Sequence, residues 1–195
     1  MNYLAHLLLS GDNLDIRFGN FIADALKGKQ YEVYPKKIKE GVILHRAIDH
    51  FTDNHPIFRR HCKILYPKHS HYARVIMDVI YDYFLAKNWN KFHSQPLNEY
   101  TIKFYDDLAS RQNLIPPKML RLTELMKSQN WLIQYSSTEG VTNILSQMSK
   151  RTRFPSQFDQ AIETILLNQT IIENEFFEFF EELFLFCENH LKSVQ

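Results

Sequence analysis

Apolar residues recur three and four positions apart along nearly the whole chain, and no segment alternates apolar with polar between paired turn signals, so the pattern reads as helix throughout. Glycine occupies only five of 195 positions. The predicted helices cover residues 3–10, 15–27, 35–51, 56–65, 72–87, 95–109, 116–130, 139–150 and 156–191. Several ends have a local cause. Pro35, Pro56 and Pro116 suit a first helical position, Ser136 with Glu139 forms a capping box, and Gly28 fits a left-handed helix end. Without repeats, low-complexity stretches or linker-like composition, residues 1–195 are expected to form a single domain, an all-α multi-helix bundle.

Composition narrows the setting. Hydrophobic residues make up 45% of the chain, enough to build a core without disulfides or structural metal. The two cysteines, Cys62 and Cys187, are far apart and outside any CxxC spacing, which argues against a disulfide framework and a thiolate zinc site. A reducing cytoplasm is the expected compartment. No run reaches the length of a membrane span, and the opening MNYLAHLLLSGD lacks the basic region and cleavage signal of a secretory peptide. The net charge is +1, but residues 1–74 carry twelve Lys and Arg against seven Asp and Glu, while residues 161–195 carry one Lys against seven Glu. Such a basic end steers an acidic partner towards it. Nucleic acid fits poorly, because the lysines lack interleaved exposed aromatics. The last helix, with Phe176, Phe177, Phe179, Phe180, Phe184 and Phe186, reads as a core element.

The stretch LHRAIDHFTD departs from a simple amphipathic helix. Ile38, Val42, His45, Asp49 and Thr52 share one stripe, so an imidazole and a carboxylate point inward. Buried without partners, each would cost several kcal/mol, so a hydrogen-bonded network or a cation must compensate. The oddity recurs: Asp78 and Asp82 lie four apart in the apolar RVIMDVIYDYFLA, Asp24 interrupts GNFIADALKG, and His6 sits in NYLAHLLLS. Two carboxylates so placed call for a divalent cation or an arginine. Plainer readings exist for each. His6 alone suits a satisfied core histidine, Asp78 or Asp82 a salt bridge to Arg46 or Arg74, and Asp53 an N-cap for the helix starting at Pro56. His50, His55, His61, His69, His71 and His93 share no face and read mostly as surface residues. What remains is the coincidence of His45, Asp49, Asp78 and Asp24 in separate apolar helices. Imidazole with carboxylate and no thiolate suits Mn²⁺, Mg²⁺ or Fe.

This is the pattern of the HD phosphohydrolases, helical enzymes of metal-assisted hydrolysis, although here His45 and Asp49 are four apart rather than adjacent. More narrowly, NYLAHLLLS, GNFIADALKGK, GVILHRAIDHFTDNHP and MDVIYDYFLAKNW, in that order over roughly the first 90 residues, resemble the acyl carrier protein phosphodiesterase family, a divergent relative of the HD enzymes. The resemblance implies an HD-phosphohydrolase-like helical fold. It also implies Mn²⁺-dependent hydrolysis of the diester joining 4′-phosphopantetheine to a serine of holo acyl carrier protein. By the same motifs His45, Asp49 and Asp78 are expected to bind metal, and Asp24 either to bind metal or to orient the attacking water. His6 is expected as a further ligand or as proton donor to the departing serine. Arg46, Lys36, Lys37 and Asp82 are assigned to substrate or partner contact, with charge reversal at Lys36 and Lys37 expected to raise KM for the acidic carrier. Two other functions compete: an HD-type phosphohydrolase acting on a nucleotide, and a non-catalytic helical binding module.

Overall fold

The structure, a computed structural model, describes residues 1–150 and 158–193. It is helical, with no strand among the described residues: α1 Tyr3–Leu9, α2 Leu14–Ile22, α3 Lys36–Asn54, α4 Pro56–His69, α5 Ala73–Lys87, α6 Leu97–Ser110, α7 Pro117–Ser128, α8 Trp131–Gln134, α9 Thr138–Ser149, α10 Ala161–Leu167 and α11 Gln169–Ser193. No helix among the described residues is long and apolar enough to cross a membrane.

α5 is the axis of the core. Ile76, Met77, Val79, Ile80, Tyr81, Phe84 and Leu85 are all buried, as expected of a helix that is apolar nearly all round. α11 lays Phe176 and Phe179 against Tyr81, with ring centroids 5.2 and 5.1 Å away. Phe176, Phe179 and Phe180 are fully buried, so this helix is a core element as its sequence suggests. It is shorter than expected, because the chain breaks at Asn168 between α10 and α11; the predicted start at Ser156 lies outside the described residues.

Among the described residues the paired carboxylates of α5 meet backbone and N-terminal donors rather than an arginine. Asp82, fully buried, accepts the backbone N–H groups of Asn2 (3.2 Å), Leu4 (2.7 Å) and Ala5 (3.3 Å). It thereby supplies the orphan donors at the start of α1 with an anion, where the helix dipole favours one. Asp78 accepts from the Met1 amine at 2.7 Å. Together they fasten α1 onto α5 and set the position of His6.

α2 and α3 cross so closely that glycine is required on both sides. A Cβ on Gly19 would lie 2.0 Å from the Ile38 carbonyl oxygen, and one on Gly41 would lie 2.1 Å from that of Ile16. This approach brings Asn20 and Asp24 of one segment beside His45 and Asp49 of the other.

Other local expectations shift by a residue or a turn. α2 ends at Ile22 and gives way to a 3₁₀ turn, Ala23–Ala25, so Asp24 sits on that turn, and Gly28 takes the left-handed conformation (φ +55°) after it. Ser137, not Ser136, caps α9, its hydroxyl accepting the Gly140 N–H at 3.1 Å. Pro35 and Pro116 precede the first helical residue, whereas Pro56 occupies it. Asp53 caps nothing: it remains within α3 and takes Arg74 Nη1 at 2.6 Å. Three of the histidines expected at the surface, His61 and His69 of α4 and His55 just before it, are buried, because α4 packs against α3, α5, α10 and α11. His61 accepts from the Tyr81 hydroxyl at 2.8 Å and donates to Glu175 at 2.7 Å, tying α4 to α5 and α11.

Candidate functional site

The stripe read from α3 opens into a cleft of about 670 Å³. Its polar end gathers His6 of α1, Asn20 of α2, Asp24 of the following turn, and His45 and Asp49 of α3. Residues four apart on a helix share a face, and His45 Nε2 lies 3.2 Å from Asp49 Oδ2. From α1, His6 Nε2 comes within 3.3 Å of Asp49 Oδ1, and Asp24 Oδ1 is 3.3 Å from His45 Nε2. The two imidazoles stack, centroids 4.2 Å apart and 23° from parallel.

Asn20, which sequence reading passed over, organises both rings. Its Nδ2 donates to the His6 carbonyl oxygen (3.1 Å) and to Ser10 Oγ (2.9 Å). A carbonyl can only accept, so the amide orientation is fixed, and Oδ1 must face the two imidazoles. Oδ1 therefore receives Nδ1–H of His6 at 2.8 Å and of His45 at 3.0 Å. Both Nε2 atoms are then turned towards the carboxylates. The only sequence signal was an asparagine in the apolar run GNFIAD, four residues before Asp24.

Charge follows from these contacts. Burial, assisted by the neighbouring His45, lowers His6 to about 4, so its ring is neutral near pH 7. Burial also works against a charge on His45, but hydrogen bonds to Asp24 and Asp49 outweigh it and raise that group to about 9. Asp49 is held well below the usual carboxylate range: burial opposes this, and the hydrogen bond from protonated His45 overcomes it. His45 likewise keeps Asp24 ionised.

His6, His45 and Asp49 each present a ligand atom within 4.8 Å of the others, and among the described residues they form a group able to hold a metal ion. Two oriented imidazole nitrogens and a carboxylate, without sulfur, match a borderline-to-hard divalent cation. Asn20 provides the fixed outer contact that metal-bound histidines use. Asp24 borders this group.

The remaining expected residues fall elsewhere. Asp78 lines the cleft but is engaged by the Met1 amine, and Asp82 lies in the core beneath α1 and does not line the cleft. Arg46 does not line the cleft: it donates to the carbonyls of Leu26 (3.2 Å) and Gly28 (2.8 Å) and stacks on Tyr31, holding the turn that carries Asp24. Lys37 and Lys36 pair with the same Glu40 at 2.7 and 3.9 Å, whose one negative charge offsets part of theirs. Among the described residues, the arginine that lines the cleft is Arg74, already paired with Asp53.

Comparison with known proteins points one way. The chain is 26% identical over 190 residues to a protein from Enterobacter sp. (strain 638) named acyl carrier protein phosphodiesterase, covering 97% of this chain and 98% of that one. It is 27% identical to the protein of that name from Serratia proteamaculans (strain 568), covering 94% and 95%. With its namesake from Escherichia coli O157:H7 it shares 28% identity over the same fractions. No solved structure matches the chain, so the expected likeness to the HD enzymes rests on the residue pattern alone. The model of the family described as acyl carrier protein phosphodiesterase matches residues 1–183, and the chain belongs to that family.

Proposed function

We propose that this protein removes the prosthetic group of holo acyl carrier protein, hydrolysing the serine–phosphate diester to give apo carrier and 4′-phosphopantetheine. The observation that carries the reading is the group formed by His6, His45 and Asp49 at the polar end of an open cleft, in a chain of this family. These three side chains would hold a divalent cation, Mn²⁺ by family resemblance. When bound, it would neutralise charge on the phosphoryl oxygens and activate water at neutral pH.

The protein's own groups divide the remaining work. Asn20 holds both imidazoles with Nε2 forward. Asp24, ionised and exposed to the cleft, accepts a hydrogen bond from the attacking water and orients it. Water adds to phosphorus and releases a proton, the bond to the serine oxygen breaks, and that oxygen departs with the proton the water released. His6 does not supply this proton: with Nδ1–H committed to Asn20 and the ring neutral, its Nε2 carries none, which favours the ligand role. Buried, unbridged Cys62 and Cys187 fit a reducing cytoplasm.

The competing nucleotide reading is tested by a substrate panel. The Mn²⁺-loaded protein should cleave holo carrier with a kcat/KM far above that for any nucleoside phosphate or cyclic nucleotide. Faster turnover of a nucleotide would transfer the site to that substrate class.

A further inference from the structure

The cleft is much larger than a phosphodiester needs, and about 670 Å³ lies in the range of pockets that enclose a whole small organic ligand. Away from the triad its walls are apolar: Phe21 of α2, Leu122 of α7, Trp131 of α8, Met148 of α9 and Phe158 of the 3₁₀ turn Phe158–Gln160. Among the described residues the charged groups bordering this part are already spoken for, Asp53 by Arg74 and Asp78 by the Met1 amine. Those residues therefore offer an uncharged ligand apolar surface and no free ion. Two buried polar atoms of its lining, Thr52 Oγ1 and Trp131 Nε1, are left over. Thr52 lines the cleft one turn beyond Asp49, is 2% exposed, and its hydroxyl has no hydrogen-bond partner among the described residues. A buried hydroxyl without a partner is costly, and a ligand amide would supply one.

We infer that this apolar arm of the cleft is the binding site for the pantetheine chain, with Thr52 hydrogen-bonding an amide and Leu122 and Trp131 packing on its branched alkyl segment. The inference rests on the function proposed above, which places the diester at the triad; the chain attached to that phosphate must then occupy space continuous with it. The ligand class is specific: uncharged, flexible, rich in amides, with compact apolar groups. Apolar walls with a few placed polar groups are how such ligands are oriented. A substrate held along its whole length also brings the diester to the triad in a fixed pose, which is where such remote contacts act on rate.

The test compares binding of 4′-phosphopantetheine with binding of inorganic phosphate to the Mn²⁺-loaded full chain, read by Trp131 fluorescence in a Trp89→Phe background. The expected result is that 4′-phosphopantetheine binds at least about 10-fold more tightly than phosphate, the gain expected of the arm's contacts. Leu122→Arg, at a half-buried wall position, should abolish that preference. The near-isosteric Thr52→Val should weaken it about 3- to 10-fold, as loss of one hydrogen bond does. Phosphate binding should be unchanged in both variants. Equal affinity for the two ligands in the parent protein, or a preference that survives Leu122→Arg, would overturn the inference. Preference for 4′-phosphopantetheine without cleavage of holo carrier would uphold the arm site and reject the carrier reading instead.

Discussion

His45 carries the site's pH dependence. Raised to about 9 by Asp24 and Asp49, it is protonated in the metal-free protein at neutral pH, so a cation must displace that proton to bind. Apparent metal affinity should therefore rise about tenfold per pH unit from pH 6 to near 9 and level off above it. His6, lowered to about 4, is neutral across that window and adds no slope. Titration calorimetry in buffers of different ionisation enthalpy should find about one proton released per metal at pH 7; affinity that stays flat between pH 6 and 8 would contradict the assignment. Asn20 makes a second prediction. Asn20→Leu removes the acceptor that fixes both rings, and outer contacts of this kind are worth about 10- to 100-fold in metal affinity. Chelator competition should show that loss while the helical circular dichroism persists, and an unchanged dissociation constant would make the asparagine a packing residue only.

At the scale of helices, sequence was most informative where one segment carried the whole argument. His45 and Asp49, four apart on an apolar stripe, do share a face and do meet a partner, and Thr52 continues the same stripe into the cleft. Segments far apart were harder to read. The fate of Asp78 and Asp82 depends on α1, more than 75 residues away in the chain, and helical periodicity says which face a carboxylate takes but not what lies opposite. Arg46 looked available because its neighbour is His45, yet the turn after α2 folds back over it. The α2–α3 crossing shows the same limit: Gly19 and Gly41 resembled mild helix weakeners until the backbone carbonyls opposite them were placed. Gly41→Ala forces a Cβ onto the Ile16 carbonyl and should destabilise the fold by about 1–3 kcal/mol. Because that crossing aligns Asn20 with His45, metal affinity should fall too. Thermal unfolding and metal titration of the one variant check both, and unaltered stability would mean the crossing is looser than described.

Across the molecule, the all-helical architecture was legible because periodicity and scarce glycine agree from end to end, whereas the cleft was not, since its apolar walls come from several separated segments, each unremarkable alone. The basic first third was legible as charge but not as geometry. Lys36 and Lys37 are partly offset by Glu40, Lys39 pairs with Glu32 and Arg60 with Glu175, while the side chains of Lys27 and Lys29, close in sequence to Asp24, are exposed and without an ion-pair partner among the described residues. Charge reversal at Lys27 and Lys29 should thus raise KM for the acidic carrier more than reversal at Lys36 and Lys37, with kcat little changed and the difference shrinking as salt screens it. The opposite ranking at low salt would move the docking face to the start of α3. The most direct measurement of the central claim is the mass of holo acyl carrier protein after incubation with metal-stripped protein, with and without Mn²⁺, beside His45→Ala and Asp49→Asn variants that retain their fold. Loss of the phosphopantetheine mass only with metal and only with intact His45 and Asp49 is the predicted result; cleavage that persists without metal, or in either variant, would contradict it.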